Sequence, residues 1–170
     1  MMLALASVSC AAAPNALIST STLSEQTAHE EPTDGHHAWS ERAREVLVNA
    51  LSLTGINYKY GGTSPETGFD CSGFVRYVYQ QATSLSLPHG AKAISQIGKS
   101  VAKSDLQPGD LVFFNTLKST FSHVGIYVGN NRFIHSPSSG GGVRVDDMQS
   151  NYWNKRFNGA QRIDLEQDKK

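Results

Sequence analysis

The chain has 170 residues, 39% of them hydrophobic, with 15 Lys and Arg against 15 Asp and Glu. That length suits one domain with a sizeable core plus a tail. No apolar run reaches the ~18 residues of a membrane-spanning helix, and no dense Lys/Arg run interleaved with aromatics suggests nucleic acid. The zero net charge is unevenly spread. Residues 1–35 hold Glu25, Glu30, Glu31 and Asp34 and no Lys or Arg, so the remainder carries all 15 basic residues against 11 acidic ones, about +4. That balance suits an anionic polymer as substrate without demanding one.

Met1 to Ala13 is apolar, and its hydrophobic part closes on Ser7-Val8-Ser9-Cys10. Small residues followed by a cysteine resemble the end of a bacterial lipoprotein signal peptide, which makes Cys10 a candidate for lipidation and a lipid anchor. No Lys or Arg precedes the apolar stretch, and Ser7 stands where such signals carry an aliphatic residue. Ser19 to Gly35 is polar and without periodicity, which reads as a tether. Residues 1–35 are therefore expected to be a signal-like segment and tether, 36–165 the folded domain and 166–170 a polar tail. His29, His36 and His37 read as solvated tether residues, and no metal site is expected.

Trp39 to Leu53 reads as the first helix, because Ala43, Val46, Leu47, Ala50 and Leu51 recur at spacings of three and four, and Gly55 closes it. Tyr58 to Gly68 is a loop marked by Gly61-Gly62 and Pro65. Its tyrosines fit a core role or a hydroxyl beside a reactive group equally well. Cys71 to Gln81 is the second helix, with Phe74, Val75, Val78 and Tyr79 on one face and Asp70 at the N-cap. Pro88-His89-Gly90 opens a short helical stretch over Ala91 to Ile97. After the turn centred on Pro108-Gly109 the period falls to two. Leu111–Phe114, Ser122–Val128, Arg132–His135, Val143–Val145 and Phe157–Ile163 read as strands, with a short turn or helix at Asn151–Trp153. Helices first and strands afterwards predict an α+β fold with an antiparallel sheet.

Cys71 begins a helix, where unpaired backbone N–H groups favour a thiolate. A lone cysteine there is ordinarily a small apolar helix residue. The following strands weigh against that reading. A three-residue turn at Gly129-Asn130-Asn131 makes residues of equal parity face the same way, so His123 and His135 share one face of adjacent strands. Val124, Ile126, Val128 and Ile134 occupy the opposite, core-directed face, which sends both imidazoles away from the core. A thiol near its ordinary pKa of about 8.5 is a weak nucleophile at neutral pH. An imidazole beside it accepts its proton, and a third polar group fixes the imidazole's tautomer. A helix-borne cysteine facing a strand-borne histidine is the papain-like arrangement.

Tyr58-Lys59-Tyr60-Gly61-Gly62, Asp70-Cys71-Ser72-Gly73-Phe74-Val75, Leu106 to Phe114, His123 to Gly129 and Phe133-Ile134-His135-Ser136 stand in unbroken order from roughly Trp39 to Ile163. Together they resemble the NlpC/P60 family of bacterial cell-wall cysteine peptidases. The resemblance implies a papain-like α+β fold, with N-terminal helices packed on a small antiparallel sheet. It implies Cys71 as nucleophile, His123 as general base, His135 as the third polar residue, Tyr58 as an oxyanion or orienting hydroxyl, and Asp70 and Ser72 as substrate contacts. It implies no cofactor. The substrates would be peptidoglycan stem peptides, cut after γ-linked D-Glu or, the favoured expectation, at the diaminopimelate–D-Ala cross-link. The protein would then be a monomer exported to the cell envelope. His89 stands where the family often has Arg, which alters the expected substrate contact there. Two rivals are weighed: a thiol-dependent acyltransferase on the same fold, and a wall-binding protein with a decayed site, against which the complete Cys71, His123 and His135 set argues.

Overall fold

The computed structural model describes residues 34–116 and 119–165, all within one unit spanning 32–170. Cys10, the tether as far as residue 33 and the 166–170 tail lie outside the described residues; Asp34, Gly35, His36 and His37, expected as tether, belong instead to the first helix.

Helix α1 (Asp34–Ser52) begins before the first apolar repeat that could announce it, and buries Ala43, Val46 and Ala50. Gly55 follows with φ +89°, and its N–H donates to the Val143 carbonyl at 2.8 Å. Two strands of two residues, β1 (Thr63–Ser64) and β2 (Gly68–Phe69), form a hairpin too short for any period to reveal. Helix α2 (Cys71–Thr83) runs slightly past its expected end, to Ser84 in the left-handed conformation. It buries Phe74, Val75, Val78 and Tyr79, the expected face. The short helix α3 (Ala91–Ile94) comes next.

The strands follow as β3 (Lys99–Ser100), β4 (Leu111–Phe114), β5 (His123–Gly129), β6 (Arg132–His135), β7 (Arg144–Asp147) and, after the short helix α4 (Asn151–Asn154), β8 (Phe157–Arg162). They form one sheet in the order β3-β8-β4-β5-β6-β7, antiparallel throughout. The β5–β6 register pairs Ile126 with Ile134 and Tyr127 with Phe133, so the faces fall as expected, but the turn is Asn130-Asn131 and not three residues: Gly129 pairs with Arg132, and a register shift between Tyr127 and Gly129 restores the parity.

The two faces differ from expectation in one respect. Leu111, Phe113, Val124, Ile126 and Ile134 meet α1 and α2 on one side. The other side is also dry: Val112, Phe114, Tyr127, Phe133, Met148, Trp153 and Ala160 form a second apolar cluster. His123 and His135 therefore leave one core only to enter another, and both are buried. The second cover comes from α4, whose four residues carry too little pattern to be read as a lid.

One buried ion pair ties the entry to β4 against the last strand. Asp110 is fully buried; its carboxylate accepts from Arg162 Nε and Nη2, each at 2.8 Å, and from the Gln107 N–H at 2.7 Å. The Tyr79 hydroxyl donates to the neighbouring Gly109 carbonyl at 2.6 Å, which joins α2 to the same turn. Removing one partner of a buried pair leaves an uncompensated charge. Arg162→Ala is expected to lower unfolding free energy by roughly 3 kcal/mol in a denaturant titration.

Candidate active site

The site begins with the fit of α2 against the Gly61-Gly62 loop. Asp70 caps the helix in an extended conformation (φ −86°, ψ 176°), and Oδ1 accepts from the Gly73 N–H at 2.7 Å and the Ser72 hydroxyl at 2.9 Å. Its other oxygen accepts from the Gly61 N–H at 3.1 Å, and its own N–H donates to the Gly62 carbonyl at 3.0 Å. A Cβ on Gly73 would lie 2.0 Å from the Gly62 oxygen, so only glycine permits this approach. One carboxylate thus fixes the helix start that carries Cys71 and the loop that carries Tyr60. The polar atoms of Asp70 and Ser72 are already engaged with each other.

A cleft of about 410 Å³ opens over this helix start, lined by Tyr58, Tyr60, Asp70, Cys71, Ser72, Lys92 and His123 among others. The structure therefore brings Tyr58, Asp70, Cys71, Ser72 and His123 to one place. Burial raises the Tyr58 pKa first, and the nearby Cys71 and Asp70 add to the shift, so the phenol stays protonated and able to donate. His89 lies elsewhere, in a separate hollow with Arg76, whose Nη1 is 3.1 Å from His89 Nδ1. His89 does not line the cleft; Gly90 and Lys92 beyond it do.

The electrostatics of Cys71 depart from the sequence expectation. Burial pushes the thiol up to about 11, and the neighbouring Asp70 charge adds to that. The N–H groups of Val124, Ser72 and Cys71 itself pull the other way and do not prevail. A helix terminus supplies partial charge, whereas burial penalises a full one.

His135 stands one diagonal step from His123, and the two rings meet edge to face at 86°, with His123 Nε2 2.8 Å from His135 Nδ1. His123 stacks on Trp153 at 5.4 Å and 26°, and His135 on Phe133 at 4.6 Å and 28°. Gly125 makes room: a Cβ there would lie 2.6 Å from Phe133 and 3.1 Å from the His135 Cβ. Burial lowers the His123 pKa to about 3, with His135 adding to the fall. Burial also lowers that of His135, against the opposing pull of Asp146.

Asp146 was missed from sequence. Its Oδ2 lies 3.0 Å from His135 Nε2 and accepts from Trp153 Nε1 at 3.0 Å, while Oδ1 accepts from Arg144 Nε at 3.0 Å. Those donors, His135 first, hold its carboxyl well below the usual carboxylate range. The carboxylate is thus charged beside a neutral imidazole, because burial of His135 outweighs the attraction. β6 pairs with β7 as His135 with Arg144, which puts Arg144 and Asp146 on the histidine face; odd residues of β6 share a face with even residues of β7, so the equal-parity rule of the β5–β6 hairpin does not carry over to this pair. The expected strand ended at Val145, one residue short. Arg144, Asp146, Tyr152 and Trp153 line a second hollow of about 330 Å³, which shares Thr116, His123 and Ser138 with the first.

Comparison with known proteins finds the following likenesses. The murein DD-endopeptidase MepH of Escherichia coli (strain K12) is 39% identical over 134 residues, covering 76% of this chain and 49% of that protein. The gamma-DL-glutamyl hydrolase of Bacillus subtilis (strain 168) is 41% identical over 120 residues, covering 70% of this chain and 29% of that protein. The chain thus spans about half or less of these relatives. The crystal structure of the NlpC/p60 domain of peptidoglycan hydrolase SagA superposes with a TM-score of 0.63 at 31% identity, covering 71% of this chain and 98% of that one. Residues 55–162, more than half of the chain, match the NlpC/P60 family, and the chain belongs to that family.

Proposed function

We propose that the protein is a cysteine peptidase that hydrolyses amide bonds in the stem peptides of peptidoglycan. The observation that carries this reading is the meeting of Cys71 and His123 in one cleft, with the Nε2 of His123 held by His135 at 2.8 Å. Both reacting groups rest uncharged, the thiol because its pKa is pushed up to about 11 and the imidazole because its own is lowered to about 3. Proton transfer therefore accompanies attack. Sγ of Cys71 bonds to the carbonyl carbon, its proton passes to Nδ1 of His123, and the carbonyl oxygen becomes an oxyanion. The Tyr58 hydroxyl is the proposed donor to that oxyanion. The imidazolium then gives its proton to the leaving amine as the C–N bond breaks. Water, deprotonated by His123, releases the acyl group and restores the thiol.

Similarity to a protein named murein DD-endopeptidase supports the diaminopimelate–D-Ala cross-link as the scissile bond. Similarity to one named gamma-DL-glutamyl hydrolase supports a second reading, cleavage after γ-linked D-Glu. A substrate in the wall requires export to the cell envelope. An acyltransferase would use the same thiol but deliver the acyl group to an amine or alcohol.

Digestion of purified sacculi and of defined muropeptides, read by fragment mass, tests this directly. Wild type is expected to release fragments ending at the cross-link; release at the γ-D-Glu bond would select the second reading. Cys71→Ala is expected to release none and to melt as wild type does, whereas a strongly lowered melt would mark the cysteine as structural. His123→Ala is expected to lose about 10³-fold in rate and His135→Ala less. Acid should also weaken the fold. The folded His123 pKa, about 3, lies below its unfolded value of about 6.5, so the unfolded chain binds more protons between them. Stability is full above about 6.5 and is lost as pH falls towards 3. The expected drop in Tm from pH 7 to pH 4 is about 5–10 °C, with a shallower slope in His123→Phe.

A further inference from the structure

The hydrogen-bonded line that leaves His123 does not stop at His135, and the residue at its end meets no reacting atom. We propose that Asp146 is a positioning residue that sets the direction of every proton along this line, and so leaves the Nδ1 lone pair of His123 free to accept the thiol proton. The inference rests on the thiol mechanism above and assigns it a fourth member.

Valence fixes where each proton sits. Trp153 Nε1 and the Arg144 guanidinium can only donate, and they meet the carboxylate at 3.0 Å from both sides, on Oδ2 and Oδ1 respectively. A second guanidinium nitrogen, Nη2, reaches Oδ2 at 3.3 Å. A carboxyl surrounded by obligate donors is an acceptor only. The His135 Nε2 facing it at 3.0 Å must then carry the proton. A neutral imidazole has one N–H, so His135 Nδ1 is a bare lone pair. His123 Nε2, 2.8 Å away, must donate to it. By the same rule His123 Nδ1 is bare. The alternative, a doubly protonated His135, would reverse His123 and place its proton on Nδ1, where it could not accept one from sulfur. Full burial of His135 disfavours that cation.

The strand register supports the same assignment. β7 lies beside β6 with Arg144 opposite His135, so Arg144 and Asp146, two apart, fall on the histidine face. Trp153 reaches in from α4. Each donor to Asp146 is thus carried by an element whose place is set by packing.

The test is the ¹⁵N signature of the imidazoles in protein labelled at the histidine rings, recorded for wild type and Asp146→Ala, with steady-state kinetics on a defined muropeptide. In wild type His123 and His135 are both expected to be protonated on Nε2 only. In Asp146→Ala, the His123 ring is expected to become a mixture of tautomers, with kcat down about ten- to a hundredfold and KM within about twofold. A wild-type His123 protonated on Nδ1 overturns the proposal even if the variant fails to fold. So does a variant that loses rate while both rings keep the wild-type signature, because the loss is then structural. An unchanged kcat overturns it as well. If wild type cuts no muropeptide, the peptidase reading fails, and the tautomer measurement still decides the wiring.

Discussion

Two imidazoles packed between aromatic rings impose the constraint on which the site depends. His135 is fully buried and His123 nearly so beside Trp153, Phe114 and Phe133, so the ring nitrogens that do not serve the cleft must find partners within the protein. That requirement links His123 to His135 and His135 to Asp146. It also explains why a sheet that needs only one face for its core has two. The second apolar cluster makes these hydrogen bonds strong and their loss costly, since a low local dielectric acts in both directions. The orientation of the proposed base is therefore a property of how α4 and β7 close the sheet as much as of the histidine itself.

Cys71 shows the opposing side of the same physics. Its helix terminus, its own N–H, and those of Ser72 and Val124 favour charge on sulfur, while burial disfavours it and prevails in the unliganded cleft. A neutral thiol beside a neutral imidazole is less exposed to adventitious oxidation and alkylation than a standing thiolate, because the thiolate is the reactive form. The N–H groups are then held ready for the negative charge that develops during attack. Such preorganised dipoles cost no rearrangement at that moment.

Much of this was legible in sequence because the relevant signals are local. Helix α2, its Asp70 cap, the β5–β6 hairpin and the shared face of His123 and His135 follow from capping preference, period and parity. What escaped depends on distance in the chain. Strands β1, β2 and β3 have two residues each, too few to show alternation. The second core is assembled from Val112, Phe133, Met148 and Trp153, far apart in sequence, so the histidine face reads as open when it is closed. Asp146 was hidden for the same reason: its partner His135 lies eleven residues away, across a Gly/Ser loop whose length conceals the register. The thiol's electrostatics required knowledge of burial, which no motif carries.

The sheet also has two ends. On one side β3 is only two residues long, and on the other β7 carries Arg144, Asp146 and Asp147. An unpaired strand edge is a template for another chain, and short or charged edges deny it a partner. Arg144 and Asp146, which hold the end of the histidine line, thus also place charge on an outermost strand of this sheet.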